Sequence, residues 1–446
     1  MAHKLHIAPA VSLILGATSV LPCMGQTDSK PKADQQLDRL LQSQKIIPFG
    51  KKPDHPDDQA YIDSIRQQVA AFYYDQFRHF SDPHSPYFLF LSKDANLAMG
   101  IGGAVRMRGY YDWGGAMPSA GFSPYLIPMT PDPASMRHLD ATPSGTCLFF
   151  RILGRNKFMG NYQLNIEANF TGYNGRDFKL KKAYAIINDF TVGYANSTFS
   201  DPSALPPTID ASGPANKITP TSVLIRYMPV IKKKWALAAS VEIPSTSPAV
   251  DSKDAMVISN YVPDFAAFAQ YEWAPGQHVR LSGILRTLPY RNLIQAENHT
   301  VMGWGAMLSS VARPTNSLST YATVNYGRGY SGLGTDLMMG NYDLVGDTSK
   351  PGELYAPASF GFCVGLQYHI LPNLFISGNV SETNYLPRHK VAGDEYKYGL
   401  VCTANVFWNM TARMQVGAEF NIGTRQNFDG QQKWARRAAL MCMFSF

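Results

Sequence analysis

The chain has 446 residues with 40 Lys and Arg against 33 Asp and Glu, a formal charge of +7, and only 16% of its residues are charged. Apolar residues reach 45%, enough to bury a large surface, which excludes a disordered chain. The long apolar run Ile7–Leu21 falls short of the about 20 residues a membrane-spanning helix needs and contains Pro9, so a bundle of spanning helices is excluded as well. High Tyr, Phe and Gly with few charges leave a β-rich protein, and favour a barrel in an outer membrane over a soluble one.

At the N-terminus, Lys4 with His3 and His6 precedes Ile7–Leu21, and Cys23-Met24-Gly25 offers a cleavage site before Gln26. Residues 1–25 therefore read as a secretory signal peptide. A lipoprotein anchor on Cys23 competes with this reading, but Pro22 occupies a position where the lipoprotein peptidase takes a small residue. Removal of the signal takes away one Lys and leaves a charge of +6. Cys147, Cys363, Cys402 and Cys442 are then far apart and without nearby His spacing, so they read as small buried side chains, with neither a disulfide framework nor a metal site.

Residues 26–84 form a short helical extension on the periplasmic side. Leu37, Leu40, Leu41 and Ile47 repeat at helical spacing before Pro48 and Gly50, and Pro53 and Pro56 mark a linker. From Asp57 to about His79, Ile62, Ile65, Val69 and Phe72 follow the a/d spacing of a coiled coil, open to either chain association or packing on another surface.

From Ala95 onward the pattern becomes strict alternation. Tyr162, Leu164, Ile166, Ala168 and Phe170 interleave with Gln163, Asn165, Glu167 and Asn169, and the stretches 235–242, 360–370 and 412–422 behave alike. Sixteen strands are predicted, at 95–112, 144–155, 161–171, 177–188, 190–198, 219–229, 234–243, 261–273, 278–287, 299–311, 317–327, 357–370, 373–384, 395–409, 412–423 and 433–446. Short connections, such as 155–160 and 274–277, alternate with long ones at 113–143, 200–218, 244–260, 287–298 and 328–356. That layout, with Tyr110, Tyr111, Trp113, Tyr173, Trp235, Trp273, Trp408 and Trp434 near strand ends and Phe446 last, predicts an all-β fold over residues 85–446: a closed antiparallel transmembrane β-barrel with periplasmic short turns.

The polar faces then line a lumen. They carry Arg106, Arg108, Arg151, Arg155, Lys179, Lys181, Arg226, Arg280, Arg286 and Arg413 against Glu167, Glu242, Asp264, Glu272 and Glu419. Excess positive charge between low-dielectric walls favours anions. Lys182 falls by parity on the lipid side. The segment 200–218 holds Asp201, Pro206, Pro207 and Asp210, and its four prolines between 202 and 214 predict a stiff loop folded inward as a constriction.

Gly100-Ile101-Gly102-Gly103-Ala104-Val105-Arg106 with Tyr111-Asp112, Phe178-Lys179-Leu180-Lys181-Lys182-Ala183-Tyr184, the run 191–201 and Pro207-Thr208-Ile209-Asp210 together resemble the DcaP-like outer-membrane porins. Lysines replace that family's strand arginines, and Tyr194 replaces its Gln. The resemblance implies a homotrimeric, anion-preferring diffusion channel for small organic anions such as dicarboxylates, with a periplasmic coiled-coil extension. It places Arg106, Lys179 and Lys181 on the cationic lumen and Pro206–Asp210 at the constriction.

Other classes find less support. His138, His278, His299, His369 and His389 stand singly, so no catalytic arrangement, cofactor motif or metal cluster is expected. Positive charge is spread across strands, which argues against nucleic acid. A gated transporter needs a plug larger than residues 26–94. A barrel adhesin or structural surface protein, using loops 113–143 and 328–356, is the alternative to a porin for small anionic solutes in contact with outer-membrane lipid.

Overall fold

The computed structural model describes residues 31–50, 86–92, 97–115, 117–156, 158, 160–172, 175–231, 234–244, 253–334 and 336–446. Sixteen antiparallel strands form the wall: β1 Leu97–Trp113, β2 Cys147–Asn156, β3 Gly160–Thr171, β4 Asp177–Ile187, β5 Phe190–Asn196, β6 Thr221–Tyr227, β7 Trp235–Glu242 and β8 Asp264–Ala274. The second half is β9 Gln277–Asn292, β10 Glu297–Ala312, β11 Leu318–Arg328, β12 Ala358–Leu371, β13 Leu374–Leu386, β14 Tyr396–Asn409, β15 Met414–Asn427 and β16 Gln432–Ser445. Each strand pairs with its sequence neighbour, and β16 closes on β1 from Arg436↔Trp113 to Ser445↔Ala104. Phe446 extends the seam, exchanging backbone hydrogen bonds of 2.8 and 2.9 Å with Gly103. Closure pairs the strand edges, which a hydrocarbon solvent could not satisfy.

The two faces are inverted relative to a soluble sandwich. Ile101, Val105, Met107, Ile166, Ile225, Leu285 and Leu440 are exposed on the outside, whereas Gln163, Asn165, Glu167, Gln270, Arg280 and Asn421 are buried on the inside. One end of the barrel carries short turns, such as those at 188–189, 275–276 and 372–373; the other carries the long connections. Cys147 and Cys363 are buried on the inner face, but Cys442 is exposed on the outer one, and all four are free thiols.

Several sequence expectations need correction. Strands β9 and β10 run past the expected loop at 287–298 and turn within 293–296. Pro289 is tolerated because β9 pairs with the β8 side only up to Leu285 and again from Tyr290 to Asn292 against Ala255–Val257, so its missing N–H falls in the gap. Tyr110 belongs to the inner face, buried and donating to Asp140 at 3.2 Å, while Tyr111 and Trp113 face outward. Lys182 faces inward. A β-bulge between Glu167/Ala168 and their partners pairs Lys182 with Glu167 and Leu180 with Ala168, so Lys181 is the extra residue and the parity resets there.

Helix α1, Lys32–Gln42, docks at the short-turn end. Lys32 donates to the carbonyls of His369 and Ile370 at 3.2 Å, and Asp34 pairs with Arg313 at 3.1 Å. Residues Lys45–Phe49, expected to end the helix, instead form a strand parallel to Phe88–Ser92, which pairs antiparallel with β1 over Ala98–Ile101. The a/d segment 57–79 lies outside the described residues.

Candidate pore lining

The connection between β5 and β6, residues 197–220, passes through the interior and is fixed at several points. At its start, Asp201 accepts from His278 at 2.9 Å and Ser309 at 2.6 Å, and lies 3.6 Å from Arg280. Burial alone would raise the Asp201 carboxyl, but Arg280, His278 and the Ser203 hydroxyl outweigh it and hold the group well below the usual carboxylate range. Arg280 also donates to the Ser200 carbonyl at 3.0 Å, and Glu242 accepts from the Thr198 N–H at 2.8 Å.

Midway, the Pro207 carbonyl accepts from Ser377 at 3.0 Å and Asn405 at 3.3 Å, and Pro206 packs into the space left by Gly365, where a Cβ would come within 2.6 Å of its ring. At the far wall, Glu419 accepts from the Ile209 and Asp210 N–H groups at 2.5 and 2.9 Å. Asp210 sits 3.3 Å from Arg108 and 3.6 Å from Arg437. Arg437 is completely buried and holds Asp112 with two hydrogen bonds of 2.5 and 2.8 Å. Two more long connections join this internal layer: Ala120 accepts from Arg108 and Arg437, and Asp336 bonds Ser123 at 2.6 Å and the Tyr125 N–H at 2.8 Å.

These contacts divide the sequence-selected cations into groups. Arg108, Arg226, Arg280 and Arg286 are buried and tied to loops or wall: Arg226 donates to the Asn196 carbonyl at 3.2 Å, and Arg286 sits between Asp343 at 2.6 Å and Asp264 at 3.3 Å. Arg151 is buried too, donating to Asn165 at 2.7 Å over the Phe149 ring. Arg413 lies at the short-turn end, donating to Ser43 at 2.8 Å with its guanidinium over Tyr87. The Arg155 side chain lies outside the described residues.

Arg106, Lys179 and Lys181 keep contact with water. Lys179 is 60% exposed and 3.1 Å from Asp177; Lys181 is 33% exposed and 2.7 Å from Glu167; Lys182 approaches the other Glu167 oxygen at 4.0 Å. Arg106 reaches the Ile209 carbonyl at 2.5 Å. Sequence reasoning missed Lys217, which leaves the loop within electrostatic reach of Lys181 and Arg106 and donates to the Ala211 carbonyl at 2.9 Å. It also missed Arg437, although the parity of Ala435, Ala439 and Met441 marks that residue as inward. Near the loop the lumen is therefore flanked by Arg106 on strand β1, by Lys179, Lys181 and Lys182 on strand β4, and by Lys217 of the loop itself. Glu167, itself 1% exposed, is the acid between the two lysines of the bulge.

Comparison with known proteins places this architecture. No protein-family model matches the chain, and no curated protein matches it by sequence. Among solved structures it is similar to the outer membrane channel DcaP of Acinetobacter baumannii, with a TM-score of 0.67 and 19% identity over 79% of this chain and 98% of that one. It is also similar to an anion-selective porin from Comamonas acidovorans, with a TM-score of 0.51 and 8% identity over 78% of this chain and 100% of that one. The chain thus has the fold of the DcaP channel, as the resemblance of its first strand and of the 178–210 region implied.

Proposed function

We propose that this chain is an outer-membrane porin, a passive diffusion channel with a preference for small anionic solutes, dicarboxylates among them. The observation that carries the proposal is the group of cations beside the inward loop, Arg106, Lys179, Lys181, Lys182 and Lys217, of which Lys179 and Lys181 reach furthest into water. Among the buried arginines, Arg108, Arg280 and Arg286 pair with acids, and Arg226 and Arg151 are tied to a carbonyl and an amide oxygen, so the cations beside the loop dominate the field felt by a passing solute. A low-dielectric wall focuses that field and raises the local anion concentration. The constriction segment Asp201–Asp210 narrows the path, with Pro206 and Pro207 held on the wall by Gly365, Ser377 and Asn405.

In this reading residues 1–25 direct export, residues 26–84 lie in the periplasm beside the short-turn end, and the barrel assembles as a homotrimer. The protein has no catalytic role. Swelling of liposomes containing the purified protein tests the reading. Small dicarboxylates should enter faster than neutral sugars of similar size; equal rates would remove the anion preference, and no swelling would remove the pore.

A further inference from the structure

A second cationic feature lies on the outside of the barrel. Across the long-loop end of the seam, Arg137, Trp113, Arg436 and Ile422 occupy one row of directly paired residues, Arg137 lying in the short strand Arg137–Thr142 that pairs with the end of β1. Two residues deeper along each strand the row becomes Leu139, Tyr111, Ala438 and Phe420. Leu440 follows below it, and Leu139 and Leu440 are 75% and 68% exposed. The two arginines therefore stand at the first position above an apolar wall, two strand spacings or about 10 Å apart, with an indole between them. Trp113 is fixed by ring contacts with Tyr111 at 5.8 Å and Phe420 at 5.7 Å.

Both guanidiniums are exposed and neither has an acidic partner among the described residues. The acids of the same strands, Asp112 and Asp140, are engaged with Arg437 and Tyr110. A guanidinium binds phosphate through paired hydrogen bonds, and Trp favours the headgroup level of a bilayer. We infer that Arg137, Trp113 and Arg436 form a binding site for a phosphorylated lipid headgroup of the outer leaflet, with the lipid's chains lying on Leu139, Tyr111, Phe420 and Leu440. This inference rests on the outer-membrane orientation proposed above, in which the long-loop end faces outward.

Native mass spectrometry of the full-length protein in detergent, with diphosphorylated lipid A as the probe, tests it. The wild type should retain lipid A, and the Arg137→Gln/Arg436→Gln protein should retain about tenfold less, since each cation near an anionic headgroup is worth about a factor of several. Lys234→Gln, at the opposite end, should retain as much as the wild type. If the double variant does not fold, Arg436→Gln alone decides, with about threefold less lipid expected. Equal retention by wild type and variants would overturn the site, as would displacement of the lipid by inorganic phosphate in excess. So would a variant that falls apart into single barrels while keeping its lipid, because a second copy would then be what covers the row. Conductance of the same wild-type preparation separates the two readings: lipid retention without conductance overturns the pore, and conductance with equal lipid retention overturns this site alone.

Discussion

Glu167 illustrates how one side chain sets the charge of a pore. Its two oxygens face Lys181 and Lys182, which a bulge turns toward the same acid. Replacing it with Gln removes one negative charge from the lumen while leaving an acceptor for both ammoniums. One charge at about 4 Å in water is worth about 1 kcal/mol. Glu167→Gln should therefore raise the anion-to-cation permeability ratio about two- to fivefold, measured by reversal potential. Asp201 gives a second prediction. Its folded carboxyl is held below the ordinary range, so the anchoring it provides is fully present above about pH 5 and is lost progressively as the solution is acidified below that. Single-channel conductance should be steady from neutrality to about pH 5 and become larger and noisier in more acidic solution, whereas Asp201→Asn should show the noisy state at neutral pH. Neither Lys182 nor Lys217 was legible in the sequence as a pore residue. A bulge cancels the parity on which Lys182 was judged, and Lys217 follows the path of a loop, which has no periodicity to read.

The wall strands were legible because one face meets apolar surroundings and the other polar ones, and residues such as Ile166 and Glu167 record that alternation. Strand ends were less so: Pro289 suggests a break, yet β9 continues to Asn292 because the neighbouring ladder is interrupted there. The inward course of residues 197–220 could be suspected from its prolines, but its anchors come from distant strands. Arg437 is the clearest of these, joining Asp112 of β1, Asp210 of the loop and the Ser119 and Ala120 carbonyls. Removing one partner of such a buried ion network leaves uncompensated charge, at a cost of about 3 to 5 kcal/mol. Arg437→Gln should lower the thermal midpoint of the detergent-solubilised barrel and increase open-channel noise as the loop loosens. An unchanged midpoint together with unchanged noise would show that the loop is held elsewhere.

For the molecule as a whole, the outward apolar face and the inward polar one have a single physical explanation, a closed sheet with lipid outside and water inside. The N-terminal segment adds to that cylinder from the short-turn end through Lys32, Asp34 and Ser43. Deleting residues 26–80 should leave a trimeric barrel that dissociates at a lower temperature on gel electrophoresis. A wild-type protein that is monomeric in mild detergent would contradict the trimer. The most direct test of the whole account is the zero-current potential of the protein in a planar bilayer under a potassium chloride gradient. The wild type should show a potential of the sign set by chloride, and Arg106→Gln/Lys179→Gln/Lys181→Gln should move it toward zero. A wild-type potential of the cation-selective sign, or a triple variant with the wild-type value, would contradict the assignment.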